Sequence, residues 1–347
     1  MSESIKKIEG GKRLFCSESK LINASPLVSY VTISLNSEKT ISRTIESVSN
    51  QTYNNCEYVI VDGGSRDDTV EVISKFALNI DYFISERDDG IYNAFNKALS
   101  FVRGDIVCFI NADDWLCPDA AQTAVDLLRN CDNLSVLVSS AIVYDSLRGS
   151  WVWRPRPINA GSYFTGANVC HNAIYARRRV YEVVGVYNES YKIAGDFEWL
   201  MRCFESNVNF MYTESPTANF SSGGVSSNIA SHCMESMRVL SDRYSFLNED
   251  EVKDLILCFY DLYKEAGLAS KLSYMGSRTD FLKHILGKYS DNENFARSVA
   301  FASMEKLIHP MDSRIFALVE DVKYSMKNRL LSSSPVLFRL LKRIIYR

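Results

Sequence analysis

VSYVTISLNSEKTISRTIESVSNQTYNNCEYVIVDGGSRDDTVEVISKFA, residues 28–77, runs twice through one pattern. VSYVTISL (28–35) is a β-branched apolar run, and KTISRTIESVSN (39–50) follows with Ile41, Ile45 and Val48 at helical spacing. EYVIVD (57–62) reads as a second strand and DDTVEVISKFA (67–77) as a second amphipathic helix. Further on come a strand at IDYFIS (80–85), a helix at GIYNAFNKALSF (90–101) and a strand at DIVCFIN (105–111). PDAAQTAVDLLRN (118–130) then reads as a helix and LSVLVSSAIVY (134–144) as a strand. Near-continuous apolar strands alternating with amphipathic helices predict an α/β fold, a mainly parallel sheet with helices on both faces. Ligands of such sheets sit outside the carboxyl ends of the strands, which directs attention to the loops after residues 35, 62, 85 and 111.

The alternation weakens after about residue 150. Residues 151–168 are rich in Trp, Pro, Gly and other aromatics and read as irregular cleft lining. HNAIYARRRVYEVVG (171–185) reads as a strand then a helix, DFEWLMRCFES (196–206) as a helix, and helical periods dominate from about 228. The expected divisions are an N-terminal extension at 1–25, a catalytic domain at 26–227 and a helical C-terminal region at 228–347.

Composition narrows the function classes. The chain has 347 residues, 46% hydrophobic and 23% charged, enough for one large domain and an appendage. Its 39 basic and 42 acidic residues give a net charge of −3, which lacks the broad basic footprint of a nucleic-acid binder. No stretch reaches 18 apolar residues, and the first 20 residues lack the apolar core of a secretory signal. Nine cysteines without a CxxC pair suit reduced thiols, so the expected setting is the cytoplasm.

Each of the four loops brings acidic or amide groups: Asn36; Asp62-Gly63-Gly64-Ser65; Glu86-Arg87-Asp88-Asp89-Gly90; Asn111-Ala112-Asp113-Asp114. Any one Asp after a strand is commonly a turn former or helix cap. Their combination in one crevice is what that explanation does not cover. Crowded carboxylates repel and call for a cation, and oxygen ligands favour a hard one, Mg²⁺ or Mn²⁺, of the kind that bridges to phosphates.

VTISLN (31–36), SVSNQTY (47–53), EYVIVDGGSRDDT (57–69), SERDDGIYNAFNKAL (85–99), GDIVCFINADD (104–114) and AGDFEWLMR (194–202) stand in one register. With these motifs the chain resembles the family-2 glycosyltransferases of GT-A fold, over roughly residues 27–225, and looks closest to members that build bacterial surface polysaccharides such as O-antigen. VDGGSxDxT and GDxxxFxNADD, about 40 residues apart, are the specific part of the match.

The resemblance implies roles. Asp62 looks like the carboxylate that hydrogen-bonds the nucleobase, with the backbone around Ser34 and Asn36. Asp88 stands where the family has an acidic residue near the nucleotide, and Asn93 and Lys97, four apart on one helix, are candidates for the ribose or diphosphate. Asn111-Ala112-Asp113 occupies the family's DxD motif; Asp113 matches the ligand that ties Mn²⁺ or Mg²⁺ to the donor diphosphate, while Asn at 111 departs from the commoner acid. Asp196 matches the catalytic base, a group the chemistry requires because an attacking hydroxyl must lose its proton, though it could equally cap its helix.

His171 is open between lining the donor or acceptor site and packing. FSSGGVS (220–226) is open between a loop over the diphosphate and a plain linker. Trp151, Trp153 and Tyr163 are open between a sugar-stacking wall and packing.

Residues 323–347 carry seven basic and no acidic side chains, leaving 32 basic against 42 acidic in the first 322. In PVLFRLLKRIIYR (335–347) Arg339, Lys342, Arg343 and Arg347 share one face and the Leu and Ile residues another. Such a helix suits an anionic membrane surface or docking on protein.

The expectation is a metal-dependent inverting glycosyltransferase using a UDP-, GDP- or dTDP-sugar. Its acceptor would be a polyprenyl-diphosphate-linked glycan at the inner face of the cytoplasmic membrane. One rival is a Rossmann-type cofactor enzyme, weakened because SLNSEKT stands where a GxGxxG would follow the first strand. The other is a degenerate scaffold, which predicts loss of residues such as Asp113 or Asp196.

Overall fold

A computed structural model describes residues 7–15, 25–223, 229–260 and 271–308. The strands are β1 (Ile8–Gly10), β2 (Val28–Ser34), β3 (Cys56–Asp62), β4 (Tyr82–Ser85), β5 (Ile106–Phe109), β6 (Trp115–Leu116), β7 (Ser135–Asp145), β8 (Gly149–Trp153), β9 (Ile174–Arg177) and β10 (Asn209–Ser221). The helices are α1 (Ile41–Ser49), α2 (Thr69–Lys75), α3 (Ile91–Leu99), α4 (Ala120–Leu128), α5 (Ser162–Thr165), α6 (Arg178–Val184), α7 (Gly195–Glu205), α8 (Ile229–Arg243), α9 (Glu249–Phe259), α10 (Arg278–Lys288) and α11 (Glu293–Ile308). The described residues fall into two compact units, one within Met1–Ile158 and Ala167–Glu235, the other within Asn159–Gly166 and Ser236–Arg347.

The first unit is built on one sheet with strand order β1-β4-β3-β2-β5-β9-β7-β10-β6, and β8 paired to β7. β4, β3, β2 and β5 run parallel, as do β7 and β10. β9 runs antiparallel to both its neighbours, and β1, β6 and β8 are antiparallel edges. The sheet is therefore mainly parallel, as expected, with a mixed second half. β2 and β3 are buried along almost their whole length because helices cover both faces. α1 packs through Ile41, Ile45 and Val48, each buried; covering such a side chain stabilises by about 1.5–3 kcal/mol.

The N-terminal stretch carries more structure than its lack of periodicity suggested. β1 pairs with β4, and the Arg13 guanidinium pairs with the buried Glu57 and donates to the Phe101 carbonyl at 2.6 Å. A three-residue strand is too short to register as a period; its partners, remote in sequence, create it.

The second unit has an aromatic core, in which Phe164 stacks on Tyr244 (5.9 Å, 1°) and packs near Phe259 and Phe295. α9 and α10 both start with capping boxes, Asn248 with Glu251 and Ser277 with Asp280, each serving two otherwise orphaned amides. Tyr163 is buried in this unit, edge-on to Tyr244. Among the described residues no helix is long and apolar enough to cross a membrane. The basic helix expected at 335–347 lies outside the described residues, as does part of FSSGGVS.

Candidate active site

Register assembles the first part of the site. Asp62, last in β3, stands opposite Ser34 of β2 and Ser85 of β4, so three polar side chains form a row across the carboxyl ends. Asp62 is 1% exposed and accepts five hydrogen bonds. Its Oδ1 takes the hydroxyls of Ser34 (2.9 Å) and Ser65 (2.5 Å). Its Oδ2 takes the Ser85 hydroxyl (2.7 Å) and the Gly64 and Ser65 amides (3.1 and 2.9 Å). The carboxylate thus moulds the loop after β3. Asn36 completes that loop: at φ 51° it receives the Arg66 amide on Oδ1 (2.9 Å) and donates its own amide to the Ser65 hydroxyl (2.8 Å).

Asp88 approaches from the loop after β4, and a Cβ at Gly63 would lie 2.5 Å from its Oδ2. Burial raises the Asp88 pKa, and the neighbouring charges of Asp62 and Asp89 add to this against Lys97 and the Gly90 amide. Lys97 is ion-paired with Glu86 at 2.9 Å, while Asn93, with Asn96, donates to Glu189 at 2.9 Å. The two α3 residues therefore serve different carboxylates.

The loop after β5 holds Asn111, Ala112, Asp113 and Asp114. Thr44 of α1 donates to the carbonyls of Ala112 (3.1 Å) and Asp114 (2.6 Å), and Arg43 donates to that of Asp113 (2.7 Å) while lying 3.7 Å over the Trp115 ring. Asp114 is fully buried, taking the Ser221 amide (2.6 Å) and the Asn172 side-chain amide (2.5 Å). Burial, with Asp113 beside it, pushes Asp114 up to about 7. Asp113 differs. It is half-buried, and among the described residues its carboxylate receives no hydrogen bond from another side chain; burial raises its pKa, and nearby Arg43 only partly offsets this. A carboxylate disfavoured as an anion by burial, and held by its own backbone amide and nearby Arg43 without a side-chain hydrogen bond among the described residues, is suited to a cation. Among the described residues no group of three or more His, Cys, Asp or Glu could hold a metal alone. Asp113 with substrate phosphates and water fits the habit of Mg²⁺-type ions.

Asp196 lies in the first turn of α7. Its Oδ1 accepts the Phe197 amide at 2.8 Å and lies 3.2 Å from the Tyr92 hydroxyl; the N-cap of α7 is Ala194, so Asp196 is not the cap, and its Oδ2 has no protein hydrogen bond among the described residues. The Tyr92 hydroxyl donates to the Ile193 carbonyl (2.6 Å) and accepts the Asp196 amide (3.2 Å). Gly195 makes that approach possible: a Cβ there would lie 2.7–2.9 Å from three atoms of the Tyr92 ring, which is itself stacked on Tyr187. Gly195→Ala is expected to lower stability by about 1–3 kcal/mol, the usual penalty of overpacking, seen as a reduced midpoint in thermal unfolding.

A short helical turn, His171–Ala173, links the two carboxylate centres. Asn172 binds Asp114 and receives the Asn111 amide at 3.1 Å, while His171 packs edge-on to Tyr187, which stacks on Tyr92, the hydroxyl partner of Asp196. His171 stacks on Phe95 (5.2 Å, 8°), and burial lowers its pKa, so the ring is neutral and wedged among aromatics. Trp153 packs edge-on to Phe220 and donates to Asn168, while Trp151 is exposed. Arg43, Tyr92, Asn172 and Glu235 carried no local signal beyond the motifs around them. Their partners lie 41 to 178 positions away in the chain, as with Tyr92 and Asp196, 104 apart.

The sequence profile of glycosyl transferase family 2 matches residues 29–183. An uncharacterized glycosyltransferase of Mycobacterium tuberculosis is 31% identical over 188 residues, 52% of this chain and 70% of that one. A PGL/p-HBAD biosynthesis glycosyltransferase of the same organism is 29% identical over 186 residues, 53% and 72% of the two chains. Among solved structures, S. aureus TarS 1-349 in complex with UDP-GlcNAc superposes with a TM-score of 0.55 at 17% identity, covering 87% of this chain and 92% of that one. Mannosyltransferase PcManGT from Pyrobaculum calidifontis, in complex with GDP-Man and Mn²⁺, gives 0.51 at 16% identity, covering 83% and 89%. At these identities the two structures are alike in fold.

Proposed function

Because the chain belongs to glycosyl transferase family 2 and is a glycosyltransferase of GT-A fold, we propose that it transfers a sugar from a nucleoside-diphosphate donor by inverting displacement, with Asp196 as base and Asp113 as metal ligand. The observation that carries this reading is the His171–Ala173 turn, whose Asn172 holds the Asn111–Asp114 loop and whose His171 packs against Tyr187, the ring stacked on Tyr92, which contacts Asp196.

In this reading the row of Ser34, Asp62 and Ser85, with Asn36 and Asp88, forms the nucleotide end. With five donors already on Asp62, direct contact with a base N–H requires one of its three hydroxyl partners to turn away. Asn111 and Ala112 flank the ribose and diphosphate. Asn93 and Lys97 contribute by fixing Glu189 and Glu86 at the rim. Asp113 would hold Mn²⁺ or Mg²⁺, which when bound supplies positive charge to the diphosphate leaving group. Asp196 Oδ2 takes the proton of the acceptor hydroxyl as its oxygen bonds to the anomeric carbon opposite the departing diphosphate. Neutral His171 lines the space between.

The acceptor in this proposal is a growing surface glycan on a polyprenyl diphosphate, met at the inner face of the membrane. The basic stretch 323–347 supports this by its charge. The testing experiment is calorimetric titration with UDP, GDP and dTDP, each with and without Mn²⁺. One of the three is expected to bind, at least tenfold more tightly with Mn²⁺; no binding by folded protein would overturn the donor-site assignment.

A further inference from the structure

We propose that Glu235, on α8, is a positioning residue for transfer, an inference that rests on Asp196 being the base. Its Oε1 accepts the Lys192 amide at 2.7 Å, and its Oε2 accepts the amides of Ile193 and Ala194, each at 2.7 Å. Three successive backbone donors thus converge on one carboxylate. Ala194 is the N-cap of α7, where amides have no intrahelical acceptor, and Asp196 follows two residues later.

The remaining groups of this turn are held from the other side. Tyr92 takes the Asp196 amide and gives its proton to the Ile193 carbonyl, and Phe197 donates to Asp196 itself. Ile193 is therefore gripped at both ends of its backbone, by Glu235 at N–H and Tyr92 at C=O. Hydrogen bonds from amides to an ionised carboxylate are short and about twice as strong as neutral ones. Together they fix the direction in which α7 starts, and with it the aim of Asp196 Oδ2. A shift of about 1 Å at a reacting group can cost on the order of 10²-fold in rate.

Chemistry grades the substitutions. Gln has the same shape, but its single oxygen serves only one side of the cluster and its NH₂ faces a donor; Ala removes all three bonds. The test measures hydrolysis of the nucleotide-sugar whose diphosphate is selected by calorimetry, with Mn²⁺ present and water as acceptor, in the full-length protein. Glu235→Gln should lower kcat about 10-fold and Glu235→Ala about 100-fold, with the donor KM and nucleotide Kd held within about threefold. Deuterium exchange at amides 192–194 should rise in the same order. A kcat for Glu235→Gln within threefold of the parent, or a loss of kcat matched by a loss of nucleotide affinity, overturns the proposal. Should the Ala variant fail to fold, the Gln variant decides. Asp196→Asn runs alongside. If it keeps the parent rate, the base reading falls and this proposal with it; if it is inactive while Glu235→Gln is unaffected, this proposal falls alone.

Discussion

Asp196→Asn is expected to lower kcat for sugar transfer by about 10²–10⁴-fold, the range lost with a general base, while nucleotide affinity stays unchanged. The substitution is informative because the two roles of this residue use different properties of the side chain. In its structural role within the first turn of α7, Oδ1 accepts the Phe197 amide, and an Asn oxygen can do the same. As a base, the residue needs a proton-accepting oxygen, and an amide offers none. Steady-state kinetics at saturating donor, with calorimetry for the nucleotide, separates the two. A kcat within tenfold of the parent would leave Asp196 with only its structural role in the first turn of α7.

Asp113→Ala is expected to weaken nucleotide binding in Mn²⁺ by at least about 10-fold, roughly 1.4 kcal/mol, and to remove its metal dependence. Of the two adjacent acids, Asp114 has both oxygens committed, to the Ser221 amide and the Asn172 side chain. Asp113 anchors its loop through its carbonyl, which receives Arg43 and Ser221, so loss of its side chain leaves those contacts in place. The variant should therefore fold as the parent does, with its calorimetric isotherm in Mn²⁺ reduced to that measured without metal. Retention of metal-dependent binding would move the ligand role away from Asp113.

Among the elements, those legible in the chain are the ones whose pattern is local. β2 and β3 are near-continuous apolar runs because both their faces are covered, and α1 repeats Ile41, Ile45 and Val48 because one face is. β1, β6 and β8 were not legible, nor was the antiparallel insertion of β9 between β5 and β7. These short strands do not stand as apolar runs between amphipathic helices, and β1, β6 and β9 are defined by partners distant in the chain, whereas the comparably short β4 and β5 were legible as such runs.

The site divides along the same line. Loops at the carboxyl ends of successive parallel strands meet wherever such a sheet forms, so Asp62, Asp88, Asp113 and Asp196 could be nominated from motifs and topology. Side-chain commitments could not, since each depends on what another segment brings. Asp62 is saturated because register sets Ser34 and Ser85 beside it. Asn93 and Lys97 share a helix, yet one meets Glu189 and the other Glu86. His171 is wedged by Phe95, and the start of α7 is held by Glu235, 39 residues past Asp196. Periodicity and motif spacing are properties of contiguous residues and were present in the chain before it folded. Which carboxylates stay available to a metal or a substrate is a matter of hydrogen-bond satisfaction between segments up to 107 residues apart, and only the tertiary structure decided it.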